Sequence, residues 1–471
     1  MRPDFDIAVI GAGAAGLSVA NVAAQLGLRT ALIERGTMGG DCLNTGCVPS
    51  KALLAAAHAV QDARDASRFG ITATPVVDWA KVWAHVHGVI ANIAPADSVE
   101  RYTGLGAEVI QGEARFTAAD TLEVAGRRLT ARRIVIAAGA RAAIPPISGL
   151  DSVPFLTNES LWGHAEQPSH LLVLGGGPIG LEMAQAFALL GSQVTVIEAT
   201  RIAGRDEPEL ADGLRTALLR DGVTIIEGEA VTAVAPGPVV TLADGRRIAG
   251  SHLLVATGRR PNIETLGLEA GGVAASRLGV VTDAGLRSTT NRRVYAAGDI
   301  ADPVGIGPRT FTHVCAYHAG IVVRRAMFRL PAKLDYASLP RVTYCAPELA
   351  QAGLTEAEAR AAGHEVKVLF WPLHDNDRAQ AERRTEGRVK LVVTPRGRIL
   401  GAGILAPHAG EMIGTWTLAI ARAIPLSAAA GMIVPYPTLA EAPKRAAGTF
   451  FTPSLFAART KWLVGLLARL P

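Results

Sequence analysis

No apolar run in the chain is long enough to span a bilayer, and no charged-then-apolar leader precedes Phe5, so a soluble, cytoplasmic protein is expected. Only four cysteines occur in 471 residues, too few for a disulfide-stapled secreted fold. Apart from one close cysteine pair, no Cys or His cluster has metal-ligand spacing, so no metal site is expected. Charge of one sign is also scarce. The net charge of +5 is spread along the chain, and nothing calls for a nucleic-acid partner. Glycine is plentiful, with 50 residues, and 49% of side chains are hydrophobic, which suits several α/β domains with ample core.

The close pair lies in GGDCLNTGCVPSK, residues 39 to 51. Four residues separate Cys42 from Cys47, and Asn44, Thr45 and Gly46 can turn the chain before a helical pattern that begins near Ser50. A disulfide is geometrically feasible, but so small a ring removes little entropy from the unfolded chain. A cystine at a helix start instead favours a thiolate and reversible redox chemistry.

Upstream, FDIAVI (residues 5 to 10) has a buried-strand pattern and runs into Gly11, Ala12, Gly13, Ala14, Ala15 and Gly16, then a helix and a second strand ending at Glu34. This is a complete dinucleotide fingerprint. Its first glycines allow the turn and the close approach of a pyrophosphate, Gly16 lets helix and strand pack, and Glu34 can bind a ribose hydroxyl. A second copy carries Gly175, Gly177 and Gly180 and ends at Glu198, so two nucleotides are expected. Further strand-then-glycine strings end at Gly139 and Gly258, and VYAAGD ends at Asp299.

The order GAGAAG, GGDCLNTGCVPSK, AAG, GGGPIGLE, ATGRRPN, VYAAGD and VTYCAPELAQAGLTE resembles the class I pyridine nucleotide-disulfide oxidoreductases, which include dihydrolipoyl dehydrogenase, glutathione reductase and mercuric reductase. With YPTLAE near the end, the chain is most similar to mercuric-reductase-like members. The resemblance implies an α/β fold of two Rossmann-like nucleotide-binding domains, for FAD and for NADH or NADPH, plus a C-terminal α+β interface domain. It also implies a homodimer in which that last domain completes the partner's active site. The expected divisions are 1–148 for the FAD domain, 149–270 for the NAD(P) domain, 271–338 for the return of the FAD domain, and 339–471 for dimerisation.

Carried over by resemblance, FAD falls to Gly11, Gly13, Ala14, Ala15, Gly16, Glu34, Arg35, Gly40, Asp41, Lys51, Ala114, Ala138, Gly139, Gly298, Asp299 and His313. The nicotinamide nucleotide falls to Gly175, Gly177, Ile179, Gly180, Glu198 and Gly258. A helix after His313 would aim its N-terminus at the flavin. Cys47 would be the flavin-proximal thiol and Cys42 the interchange thiol, with Lys51 and Glu182 an ion pair beside the flavin. Hydride would pass from NAD(P)H through FAD to the disulfide and on to an unidentified acceptor: a small disulfide, a metal–thiol complex or a quinone. Dihydrolipoyl dehydrogenase and NAD(P)H:quinone reductase stand as alternative activities.

Several positions depart from the thiol-processing members. Where those carry a histidine as general acid and base, this chain has Tyr436, and a phenol with a pKa of about 10 is a poor base at neutral pH. Glu441, the usual partner of that histidine, is left a structural or hydrogen-bonding role. The chain ends FAARTKWLVGLLARLP without the cysteine pair with which mercuric reductase receives its metal. Pro178 replaces the tyrosine lid of glutathione reductases. Glu198 favours NADH, against which Arg201 and Arg205 could each pair with a 2′-phosphate. Cys315 and Cys345 are expected to be small core residues. Trp462, Leu463, Leu466, Leu467 and Leu470 are expected to form one helical stripe, with Arg459, Lys461 and Arg469 outside it, packed on the dimer or touching a membrane surface.

Overall fold

The computed structural model describes residues 2–470. Strand Phe5–Ile10 is buried nearly throughout, as a central parallel strand covered on both faces must be. It pairs in parallel with Thr30–Glu34 on one side and Arg127–Ile136 on the other, and Ala107–Gln111 extends the sheet beyond Thr30–Glu34. Much later in the chain, Val294–Ala296 returns to pair with Arg127–Ile136. Helix Ala14–Gln25 packs its alanine-rich face between this sheet and helix Thr312–Ala326.

A second parallel sheet runs Val223–Glu227, Gln193–Glu198, His170–Leu174, His252–Val255. Two segments join the units, and they pair with each other: Ala140–Ala142 is antiparallel to Arg259–Pro261. The C-terminal unit is an antiparallel sheet in the order Pro340–Thr343, Glu348–Gly353, Ile399–Ala406, Arg388–Val393, Lys367–Pro372. Helices Ala409–Ala421 and Glu441–Thr449 close its core around Trp416. The mixed α/β architecture expected from the sequence is therefore present.

Two local expectations need correction. The tail helix Ala458–Leu467 does not carry a clean stripe, because Arg459 lies three and seven residues before Trp462 and Leu466 and so shares their face. Val464 lies off that face and is exposed too, which spreads apolar surface around the helix. Cys345 is buried, but Cys315 is only half-buried, with its Sγ 4.0 Å from Asp299 Oδ1.

Candidate active site

The helix expected near Ser50 begins at Cys47. Pro49 lies in its first turn, where the missing N–H has no intrahelical partner to lose. Cys42 sits just before it on the short helix Gly40–Asn44. Gly40 has φ of +58° and its backbone lies against Gly13, so close that a side chain would come within 2.7 Å of the Gly13 Cα. Gly39 N–H also donates to the Ala12 carbonyl at 2.9 Å. The dinucleotide loop and the redox loop thus form one backbone-packed unit.

Both thiols are free, Cys47 exposed and Cys42 half-buried. A hydrogen bond from Cys42 pulls Cys47 down to about 6, helped by Thr312 and the Lys51 charge, against desolvation by the protein packed around its exposed edge. The same hydrogen bond, then burial, pushes Cys42 up. Thr312 Oγ1 lies 3.2 Å from Cys47 Sγ and opens helix Thr312–Ala326, whose N-terminal dipole end therefore faces the thiol. His313 is inside that helix rather than before it; its Nε2 bonds the Pro340 carbonyl at 3.0 Å, and burial lowers its pKa.

Lys51, one turn along from Cys47, reaches Glu182 Oε2 at 2.5 Å on helix Pro178–Leu189. Glu182 is 4% exposed and also accepts the Tyr344 N–H at 3.0 Å, while the Lys51 ammonium lies 4.4 Å from the centre of the Tyr344 ring. Asp41 Oδ1 accepts from Thr45 Oγ1 at 2.6 Å and from Asn158 at 3.0 Å. Its Oδ2 meets Arg259 at 2.8 Å, and Arg259 continues to Asp299 at 3.2 Å. Trp162 donates to the Thr45 carbonyl between the two cysteines at 2.9 Å. Arg259, Asn158, Trp162, Thr312 and Tyr344 escaped the sequence reading because each meets the redox string only through the fold.

Glu34 Oε2 accepts the Ala12 N–H at 2.6 Å, and Glu198 Oε2 accepts the Gly176 N–H at 2.8 Å, so each strand-end acid stands at its glycine loop. Ala14, Ala15 and Gly16 form the first turn of the helix after the first loop, and Ile179 is exposed on the first turn after the second. Gly175 and Gly180 are committed to backbone contacts that a side chain would block, but nothing lies within 4 Å of where a Gly177 side chain would point. Such open space beside a helix N-terminus is the cradle a pyrophosphate needs, and at Gly13 in the first loop a side chain would meet only the Gly40 Cα, at 3.8 Å, so the residues fit both nucleotides. Arg35 pairs with Glu113 at the flavin-unit edge near Ala114, and the Ala138 and Gly139 carbonyls accept from Asn262. Gly258 bonds back to Ala143, and Gly298 N–H donates to His318.

Tyr436 and Glu441 stand apart from this cluster, on the C-terminal unit. Tyr436 is exposed and donates to Asp377 at 2.8 Å, and Glu441 opens helix Glu441–Thr449. Arg201 is engaged by Asp212 and the Pro208 carbonyl, whereas Arg205 is exposed.

The family model for the pyridine nucleotide-disulphide oxidoreductases matches residues 5–320, and that for their dimerisation domain matches residues 339–447. Mercuric reductase from Streptomyces lividans is 40% identical over 95% of this chain and 96% of its own length. Dihydrolipoyl dehydrogenase from Thermus scotoductus is 35% identical over 93% and 95%. Among solved structures, the HOCl-induced flavoprotein disulfide reductase RclA from Escherichia coli superposes with a TM-score of 0.84 at 28% identity, covering 94% of this chain and 99% of that one. The chain belongs to the pyridine nucleotide-disulphide oxidoreductase family and is a flavoprotein enzyme that uses FAD and NAD(P)H.

Proposed function

We propose that the chain works as a homodimer whose Cys42 and Cys47 deliver two electrons to a thiophilic metal ion or its small-thiol complex. FAD, when bound, accepts hydride from the nicotinamide and passes electrons to sulfur. Cys47, whose thiolate charge Thr312 and Lys51 stabilise, would be the thiol that exchanges electrons with bound FAD. Cys42 meets the acceptor, and Glu182 holds Lys51 in place. Asp41, Arg259 and Asp299 fix the redox loop, and Asp299 would hold the ribityl chain of bound FAD.

Tyr436 carries the acceptor class. Its hydrogen bond to Asp377 raises its pKa further above the ordinary phenol value, so it keeps its proton and is no general base at neutral pH. Reduction of an organic disulfide needs a proton delivered to the leaving sulfur. A thiolate-bound metal ion takes two electrons and releases its thiolates without one.

With NADH as donor, a mercuric bis-thiol complex, whose metal takes both electrons, should turn over at least ~10²-fold faster than lipoamide, the scale of a missing acid–base group. Tyr436→His should recover lipoamide turnover by a comparable factor. Fast lipoamide turnover by the wild type, unchanged in Tyr436→His, would instead establish a dihydrolipoyl dehydrogenase with a different base.

The same geometry favours NADH. Glu198 stands ready for a ribose diol, and Arg201 is tied to Asp212 and so withdrawn from a 2′-phosphate. Glu198→Ala should lower the NADH-to-NADPH ratio of kcat/KM by roughly 10-fold, equivalent to about 1.4 kcal/mol. An unchanged ratio would remove Glu198 from nucleotide selection.

A further inference from the structure

His164, Glu166 and His252 each offer a ligand atom, and these atoms all lie within 4.8 Å of one another. The sequence shows no such spacing because His164 and Glu166 follow the turn Leu161–Gly163, whereas His252 opens strand His252–Val255. The two imidazoles meet Nε2 to Nε2 at 2.7 Å. His252 Nδ1 lies 2.9 Å from Ser251 Oγ, a partner on the second ring nitrogen of the kind that orients metal-bound histidines. The loop is anchored as well. Trp79 donates to the Ala165 carbonyl at 2.8 Å and stacks on Trp83.

We propose that His164, Glu166 and His252 form a three-ligand site for a borderline divalent metal ion such as Zn²⁺, with water in the remaining position. Two imidazoles and one carboxylate suit zinc and its first-row neighbours better than calcium or magnesium, which prefer all-oxygen sites. Zinc–nitrogen bonds of about 2.0–2.1 Å in a tetrahedron set two nitrogens roughly 3.3 Å apart. Uptake of the ion therefore replaces the His–His hydrogen bond with a slightly wider separation. The proton shared between the two Nε2 atoms moves to an Nδ1, which frees both Nε2 atoms for the ion.

This site is separate from the second nucleotide loop. His252 pairs with Leu171 at the start of strand His170–Leu174, whereas the nucleotide loop follows its far end, about 15 Å away at ~3.3 Å per residue. Metal there would brace the segment that carries Trp162, and with it the Thr45 carbonyl between the cysteines.

The test is calorimetric titration of Zn²⁺ into metal-stripped, FAD-loaded, air-oxidised protein, in which the Cys42–Cys47 disulfide removes competing thiols. One ion per chain is expected. His252→Ala and the exposed-site variant Glu166→Gln should each weaken binding by at least ~10-fold, and Ser251→Ala by roughly 10- to 100-fold, as loss of an outer partner does. Retained flavin absorbance and circular dichroism would verify that each variant is folded. Absence of binding to the oxidised wild type, or affinity unchanged in both His252→Ala and Glu166→Gln, would overturn the site.

Discussion

Cys42→Ser should abolish acceptor turnover, by at least ~10³-fold, because a serine hydroxyl cannot replace the interchange thiol as nucleophile. Reduction of the bound flavin by NADH should persist in the same variant, since no atom of Cys42 is needed to bring the nicotinamide to the flavin. The two readouts together separate a thiol relay from direct flavin reduction of a quinone. If turnover survives with the flavin still reducible, the cysteines are bystanders. The reduced wild type offers an independent check. Cys42 hydrogen-bonds Cys47 and lowers it to about 6, so an ultraviolet thiolate titration should show its first midpoint near that pH and a second well above the ordinary thiol value. A single midpoint near 8 to 9 would mean that the two sulfurs do not share a proton.

The second large effect concerns stability. Lys390 is 1% exposed on strand Arg388–Val393, and its ammonium meets Glu207 at 2.8 Å, Glu209 at 3.0 Å and Glu356 at 3.0 Å. Glu207 belongs to the unit built on the second parallel sheet, is itself 1% exposed, and also accepts the Glu356 N–H at 2.7 Å. Lys390→Met would leave Glu207 buried without its cation, a loss of about 3–5 kcal/mol. Denaturant melts should show the C-terminal unit separating first.

The pH dependence follows from opposite signs. Burial lowers the Lys390 pKa, the three carboxylates outweigh it, and the value ends above the ordinary 10.5. That contribution is full below about 10.5 and is lost as pH rises through the folded value. Glu356 is held below its ordinary 4.5, first by its hydrogen bond to Lys390, so its contribution is full above about 4.5 and fades as pH falls through the folded value. The variant should lose both limbs, and equal melts for the two proteins at neutral pH would refute a stabilising role for the Lys390 ion cluster.

The two nucleotide units were legible because strand, glycine loop, helix and terminal acid follow one another within each short stretch, and FDIAVI is buried as its composition demands. The cysteine pair was legible for the same reason. The contacts that hold it were not. Trp162 lies 117 positions from Thr45, and Arg259 meets Asp41 and Asp299 only when three distant segments converge. The helix begins at Cys47, three residues before the apolar periodicity near Ser50 shows it, and Pro49 within its first turn is the better signal. The metal triad escaped because its histidines, 88 positions apart, become neighbours only once the second sheet forms.

Both chain passages between the nucleotide units run as one ladder, Ala140–Ala142 beside Arg259–Pro261, and the same Arg259 bonds the Ala140 carbonyl. A twin-stranded ribbon resists the bending that a lone linker permits, so the nicotinamide unit is not a swinging lobe. Viscosity that slows domain motion should then matter less to turnover than nucleotide concentration.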